Sequence, residues 1–266
     1  MERQKKRKRH HRGRRKKRGV GYYVTNIILV IAIVIFCVSA YQLIKIGKGY
    51  MDGRSEYEKV RDIALENADD QEKFRVNFDE LMEMNSDTIG WIRFYPEPEI
   101  INYPVVQTDD NDLYLHKTFS ANENTLGAIF MDTNNSSDFT DRNTLIYGHR
   151  MKDGSMFRKL DEYKDKDFWE ENQFFYIYTP DGRELTYHIY SVGQVEDTSD
   201  TYLISFANDE EYQKFLDMTK DTAAYDTGVD VGVDDRIVTL STCTAASDNH
   251  RFVVRGVLEK DVKLED

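Results

Sequence analysis

Arg236-Ile237-Val238-Thr239-Leu240-Ser241-Thr242-Cys243, then the small polar run from Thr244 to Asn249, then Arg251-Phe252-Val253-Val254, is the stretch on which the reading of this chain turns. Ile237, Val238 and Leu240 give residues 236–242 the apolar, β-prone character of a strand. The segment 244–249 has loop chemistry, and Arg251 opens a second apolar strand. Cys243 therefore stands at a strand-to-loop junction, exposed enough to react and anchored firmly enough to be aimed. It is one of two cysteines in 266 residues, and the other, Cys37, lies in an apolar anchor. A single thiol in an exported chain has no internal disulfide partner, so it is either an idle core residue or a nucleophile.

The net charge of −12 hides a split. Residues 1–21 carry twelve Lys or Arg against one acid, Glu2, for a net of +11, which leaves 24 basic and 47 acidic residues, net −23, for the rest. Between the two lies Val24 to Ile44, 21 residues without a charge. At about 1.5 Å per residue such a helix crosses a hydrocarbon core of roughly 30 Å. The pattern predicts a basic cytoplasmic tail (1–21), a transmembrane anchor (22–44), a stalk (45–74) and an extracellular domain (75–266), with basic residues held inside. The tail is also suited to anionic membrane lipids. Its place directly before a span makes the topological role sufficient, so no nucleic-acid partner is expected. Val38-Ser39-Ala40 loosely resembles a signal-peptidase site. Signal-peptide apolar cores are only about 7–15 residues long, however, so an uncleaved anchor is expected. Cys37 reads as a small apolar residue of the span.

Beyond the anchor, Ser55 and Glu58 fit a capping box, and Tyr57, Val60, Ile63 and Ala64 form an apolar stripe at helical spacing. A solvated linker without fixed structure is the alternative for 49–65. Asn77 is placed to cap a helix through Phe78, Leu81 and Met82. Strand-like runs follow from Thr88 onward: Ile89 to Phe94, Ile100 to Val106 (with Pro104 suited to an edge), and 126–131, 144–147, 174–179, 184–195, 236–242 and 252–258. Asp181-Gly182 is a hairpin turn between two of them. Helical intervals are expected around Ser155–Tyr163 and at Asp209–Lys220, where Tyr212, Phe215, Leu216 and Thr219 share a face. Many short strands with polar turns predict a mainly β fold with helices, closed or nearly closed.

A cysteine attacks carbonyl carbon as its thiolate, so Cys243 needs a nearby base or cation and donors for the developing oxyanion. His10 and His11 belong to the tail. His116 reads as a surface or structural residue, His188 as a satisfied or exposed ring in mid-strand, and His250 as a loop neighbour of Arg251. His149 stands apart because it ends the run Asn143-Thr144-Leu145-Ile146-Tyr147-Gly148-His149, an apolar strand followed by a glycine that gives backbone freedom. Arg251 is the natural oxyanion partner, since a guanidinium stays charged and offers planar donors. Arg255 shares its strand face and competes by position, although a lone arginine is ordinarily a surface salt-bridge residue. No cofactor is expected. Metal catalysis lacks a paired-cysteine or His-x-x-x-His spacing, and Asp132 to Asp141 lacks the ligand order of a calcium loop.

Thr239-Leu240-Ser241-Thr242-Cys243 with Arg251 on the terminal strand resembles the active-site signature of sortases, and Ile146-Tyr147-Gly148-His149 resembles their histidine segment. The blocks Ile101 to Gln107, Asn111 to Leu115, Gly127 to Asp132 and Ser155-Met156-Phe157, together with the helix inserted before the cysteine strand, are similar to class B sortases over nearly all of residues 75–260. The resemblance implies a closed barrel of about eight strands. It implies a membrane-anchored cysteine transpeptidase of a Gram-positive surface that cleaves a C-terminal sorting motif of secreted proteins after threonine. A thioacyl intermediate would then pass to a peptidoglycan amine. Carried over by motif, Cys243 is the nucleophile, His149 the general acid and then base, and Arg251 the oxyanion donor. Thr198, Tyr202 and Ser241 would line the substrate groove. A hydrolysing extracellular cysteine peptidase, a pilin-polymerising sortase and a non-enzymatic barrel adaptor are the competing readings. The missing second anchor after Leu258 and the short connection from anchor to domain weigh against the pilin reading.

Overall fold

The computed structural model describes residues 19–67, 70–243 and 249–264. The chain divides into two compact units, residues 1–48 and 49–266. In the first unit the described residues from Val20 onward lie in helix α1 (Val20–Ala64), whose apolar stretch has no buried residue and is long and apolar enough to cross a membrane. No acidic side chain interrupts that stretch.

The second unit begins within the same helix. Ser55 lies inside α1 and not at its start, which corrects the expected capping box: no proline interrupts residues 45–55, and the helix begun in the anchor runs on through Gly47, Gly49 and Gly53. The apolar stripe does pack. Tyr57, Val60 and Ala64 are buried, whereas Ile63, at the flank of the stripe, is exposed. The Tyr57 hydroxyl donates to the Gly127 carbonyl at 2.8 Å and accepts from the Phe119 amide at 3.2 Å. The segment read as a stalk is therefore joined to the core from Gly53 onward, where a side chain would strike Leu126 at 2.8 Å. A two-stranded ribbon (Leu65–Glu66 with Arg75–Val76) leads to α2 (Phe78–Met84), which Asn77 caps by accepting from the Glu80 amide.

Eight strands then close a barrel: β1 (Thr88–Phe94), β2 (Asn102–Val106), β3 (Ile129–Met131), β4 (Asn143–His149), β5 (Phe174–Tyr178), β6 (Arg183–Glu196), β7 (Ile237–Cys243) and β8 (His250–Lys263). Around the barrel the order is β8-β6-β5-β1-β2-β3-β4-β7, returning to β8. The pairs β2–β3 and β4–β7 are parallel and the other pairs are antiparallel. Closure leaves no edge, so Pro104 is not at one: it pairs with Trp91 of β1, while the pairing of β2 with β3 starts only at Val105. The expected strand at 126–131 is shortened to Ile129–Met131 because Gly127 takes φ +61°, which breaks the extended run. The Asp181-Gly182 turn is present, with Gly182 at φ +81° between β5 and β6.

Trp91, Ile92, Phe94, Phe175, Tyr187 and Val254 are among the side chains that fill the main core, in which Phe175 and Tyr187 stack at 5.1 Å. Short helices decorate the connections. They are α3 (Leu113–His116), a 3-10 helix (Phe157–Lys164), α4 (Lys166–Glu171), a 3-10 turn (Asp200–Tyr202) and α5 (Asp209–Asp221). The helical face expected before the cysteine strand is the one buried: Tyr212, Phe215, Leu216 and Thr219 pack inward from α5. With Tyr190, Ile237 and Val257 the apolar members make a second, smaller core on the outside of the barrel.

Candidate active site

Two parallel strands, β4 and β7, end side by side. Their register runs from Asn143 opposite Ile237 to His149 opposite Cys243, the last rung of the ladder. Neighbouring strands lie about 4.8 Å apart, so the backbones of these two residues adjoin at one barrel rim. On the other side of β7, Val253 of β8 faces Ser241. The ladder continues through Thr242, whose hydroxyl accepts from the Phe252 amide at 3.1 Å and donates to its carbonyl at 3.2 Å. One further residue brings Arg251 to the level of Cys243. The three residues read from separate motifs thus arrive on three consecutive strands at the same end. The Cys243 side chain and residues 244–248 lie outside the described residues.

His149 is half-buried, and its Nε2 lies 2.7 Å from the Leu115 carbonyl. A carbonyl only accepts, so Nε2 carries the proton and Nδ1 is the nitrogen left for proton exchange. Gly127 forms the wall behind the ring. A Cβ there would stand 2.7 Å from Cδ2 of His149 and 2.6 Å from the Tyr114 carbonyl, at a φ of +61° that disfavours side chains. Gly127→Ala is therefore expected to push the imidazole off its carbonyl anchor and to slow turnover by up to about 100-fold, the scale of an ångström-sized misplacement. Steady-state rates beside a melting curve check this, and a variant of unchanged rate would show that Gly127 does not set the ring position. Gly148 corrects an expectation. It sits in a regular strand, and its lack of a side chain serves space, since a Cβ would come within 2.7 Å of the Phe157 ring and 2.5 Å of Ile129.

Arg251 is partly exposed and pairs with Asp197 at 3.5 Å, and its Nη1 donates to the His250 carbonyl at 3.1 Å. Arg255 has the opposite environment, and the expected surface role is wrong for it. It is fully buried, its two terminal nitrogens donating to Ser191 Oγ (3.0 Å) and Thr201 Oγ1 (2.9 Å), with Nε left without an acceptor. Its burial pulls the guanidinium below its usual range. The reason is topological: Arg255 faces outward from the barrel, and the β6–α5 connection covers that face. Asn143 helps fix this connection, its Nδ2 donating to the Leu203 carbonyl at 2.8 Å while its Oδ1 accepts from Thr239 at 2.8 Å.

The same connection carries the expected groove residues. Tyr202 is half-buried and shares a 3.1 Å hydrogen bond with Ser241 Oγ, two residues before Cys243. Its ring stacks on Tyr147 at 6.3 Å, and the Tyr147 hydroxyl donates to Asp132 at 2.9 Å. Ser241 is itself buried, so its hydroxyl faces Tyr202 and not open solvent. Thr198 is exposed. Of the other histidines, His116 and His250 are exposed. His188 is neither satisfied nor open: it stacks on Phe174, its Nδ1 lies 3.4 Å from Glu259, and its Nε2 is buried without a partner. Desolvation holds its pKa below the usual value. Asp197, Gly127 and the Leu115 carbonyl were missed by the sequence reading. Asp197 opens the block that supplied Thr198 and Tyr202, and a carboxylate directly after the strand end was the available signal.

A family model described as Sortase domain matches residues 96–259. The chain belongs to the sortase family, in its class B branch. This sortase is 33% identical over 244 residues to Sortase B of Staphylococcus aureus, covering 91% of this chain and 96% of that one. It is 37% identical over 183 residues to Sortase B of Listeria monocytogenes, covering 67% and 72%. Among solved structures, sortase B of Bacillus anthracis in complex with AAEK1 superposes with a TM-score of 0.68 at 32% identity, over 80% of this chain and 99% of that chain. The Staphylococcus aureus sortase B-substrate complex gives 0.65 at 32% identity, over 71% and 85%. The eight-strand closed barrel is the sortase B barrel, and the protein is a sortase transpeptidase.

Proposed function

We propose that this sortase cleaves a C-terminal sorting motif of secreted proteins after threonine and joins the new carboxyl end to a peptidoglycan amine. The Cys243 thiol gives its proton to Nδ1 of His149, and the resulting thiolate attacks the threonine carbonyl while Arg251 steadies the oxygen that becomes negative. The imidazolium passes its Nδ1 proton to the leaving amine as the C–N bond breaks. The thioacyl bond then yields to an incoming amine, which surrenders a proton to His149 as the new C–N bond forms and the C–S bond breaks. Thr198, Tyr202 and Ser241 line the groove for the sorting peptide, with Ser241 acting through its bond to Tyr202. The domain layout proposed is tail 1–21, anchor 22–44, stalk 45–74 and catalytic domain 75–266, with the stalk segment packed into the core of the domain from Gly53 onward. The anchor is a single pass whose basic end stays cytoplasmic.

The observation that carries this reading is the convergence of the His149, Cys243 and Arg251 strand ends on one rim of a sortase barrel. The test uses the full chain in detergent, a library of sorting-motif peptides and a set of amine nucleophiles. Acyl-transfer products that need Cys243 are expected for at least one amine. Hydrolysis alone with every amine would favour the peptidase reading, and products that survive loss of Cys243 would remove the nucleophile assigned here.

A further inference from the structure

Tyr57 does more than its place in the apolar stripe of α1 requires. Val60 and Ala64 fill the neighbouring buried positions with aliphatic groups alone, and an aliphatic side chain at 57 would bury apolar surface equally well. The Tyr57 hydroxyl, however, is used twice, as donor to the Gly127 carbonyl and as acceptor from the Phe119 amide. Both partners belong to the loop from α3 to β3 that holds His149. Phe119 stands four residues after Leu115, whose carbonyl anchors Nε2, and Gly127 is the wall behind the ring. The Ala128 amide ties the base of this loop to the Tyr114 carbonyl at 2.9 Å, and the Tyr57 hydroxyl is its second tie.

The ring of the same residue supports the segment that follows His149. It packs edge-on against Tyr103 of β2, with centroids 5.3 Å apart, and the Tyr103 hydroxyl accepts from the Met156 amide at 3.2 Å. Met156 bridges to Arg150, the residue after His149. It holds φ +55°, a conformation that strains a side chain and persists only where its surroundings over-determine it. Arg54, one turn before Tyr57, adds a further hold on this segment. Its Nη2 donates to the Asp153 carbonyl at 3.2 Å, and its Nε lies 3.3 Å from the Asp153 carboxylate, which accepts from the Ser155 amide at 3.1 Å. One stretch of α1 thus grips the loop in front of His149 and the loop behind it.

We propose that Tyr57 is a positioning residue for His149, supported by Arg54, and that the two fix the place of the ring and its Nε2–H tautomer from a helix outside every motif of the site. The kinetic side of this rests on the acyl-transfer reading, in which Nδ1 takes the thiol proton and passes it to the leaving amine. Nδ1 is free for that exchange only while Nε2 keeps its proton on the Leu115 carbonyl. A ring that drifts from the carbonyl loses the preference for that tautomer, and proton transfer needs heavy atoms within hydrogen-bond reach. Burial raises the pKa of the Tyr57 hydroxyl well above its ordinary value, so the donor to Gly127 keeps its proton at neutral pH.

The test reads the ring and the rate separately, on the full chain in detergent. Nitrogen-15 spectra report the tautomer of His149, its resonances assigned by their loss in His149→Gln, and initial rates with a sorting-motif peptide report kcat and KM. The unaltered chain is expected to hold the neutral ring as the Nε2–H form alone. Tyr57→Phe keeps an aromatic ring in the core and removes only the hydroxyl. It is expected to show a mixture of both tautomers and a kcat about tenfold lower, with KM for the peptide within about twofold. Arg54→Gln, at a side chain 55% exposed, leaves the core untouched and is expected to show the same mixture with kcat about threefold lower. Val60→Ala, which opens a cavity in the same stripe, is the control for lost stability: it should melt lower and keep its kcat where it is folded. An unchanged tautomer and kcat in Tyr57→Phe, or in Arg54→Gln should Tyr57→Phe not fold, overturns the proposal. So does an equal loss of kcat in folded Val60→Ala, which would trace the effect to the helix and not to His149. Failure of the acyl-transfer reading shows separately, as no acyl transfer by the unaltered chain while the His149 tautomer still changes in Tyr57→Phe.

Discussion

Cys243→Ala is expected to abolish acyl-enzyme formation while the barrel stays folded. The loss should be about 10⁴-fold or more, because Cys243 is the only thiol outside the apolar anchor and losing one member of a concerted set costs nearly as much as losing all. The fold should survive because β7 is fixed from both sides without the thiol, by its parallel ladder to β4 and by the Thr242 hydroxyl clasping the Phe252 backbone. Intact-mass measurement of the full chain after incubation with a sorting-motif peptide reads the result directly. The unaltered chain gains the acyl mass, and the variant does not. Cys37, the only other cysteine, is exposed in α1 and supplies the control, since Cys37→Ala should acylate normally. An acyl adduct on the Cys243→Ala chain would show that the chemistry belongs elsewhere.

The elements legible in the sequence were those whose signal is local. The stretch Ile237 to Cys243 is apolar and β-branched, Asn77 precedes a helix that needs a cap, and the α5 face repeats at helical spacing. Each of these depends only on neighbours in the chain. What stayed hidden depended on what folds over a residue. Arg255 and Arg251 stand four apart on one strand face, and nothing in the sequence marks that a connection from β6 covers the first and leaves the second open. Gly148 and Gly127 look alike as glycines. One is small because Phe157 and Ile129 crowd it, and the other because the chain turns left-handed behind His149. Ser55 has the letters of a cap, but a helix already running from the anchor passes through it. The candidate site was read from motifs on β4, β7 and β8, and its convergence is a property of barrel closure, which aligns strands far apart in sequence.

The two arginines are expected to fail in opposite ways, and that contrast is the sharpest test of the site. Arg251→Ala should lower the rate of acylation by roughly 100-fold or more, the cost of losing an oxyanion donor. Its melting temperature should change little, because its ion pair with Asp197 lies at the surface, where such pairs contribute about 0–1 kcal/mol. Arg255→Ala removes a fully buried side chain and leaves the hydroxyls of Ser191 and Thr201 short of a donor above a new cavity, so about 2–5 kcal/mol of stability should be lost. Because the buried guanidinium has no carboxylate partner among the described residues, its desolvation already opposes folding, and a filled apolar replacement should do better than a void. Arg255→Met is therefore expected to melt above Arg255→Ala. Its remaining defect should appear in KM for the sorting peptide, since Thr201 sits one residue from Tyr202 and holds that turn in place. Single-turnover acylation beside thermal unfolding separates the two cases. If Arg255→Ala melts normally and loses more rate than Arg251→Ala, the oxyanion role belongs to the buried arginine and the site must be redrawn around it.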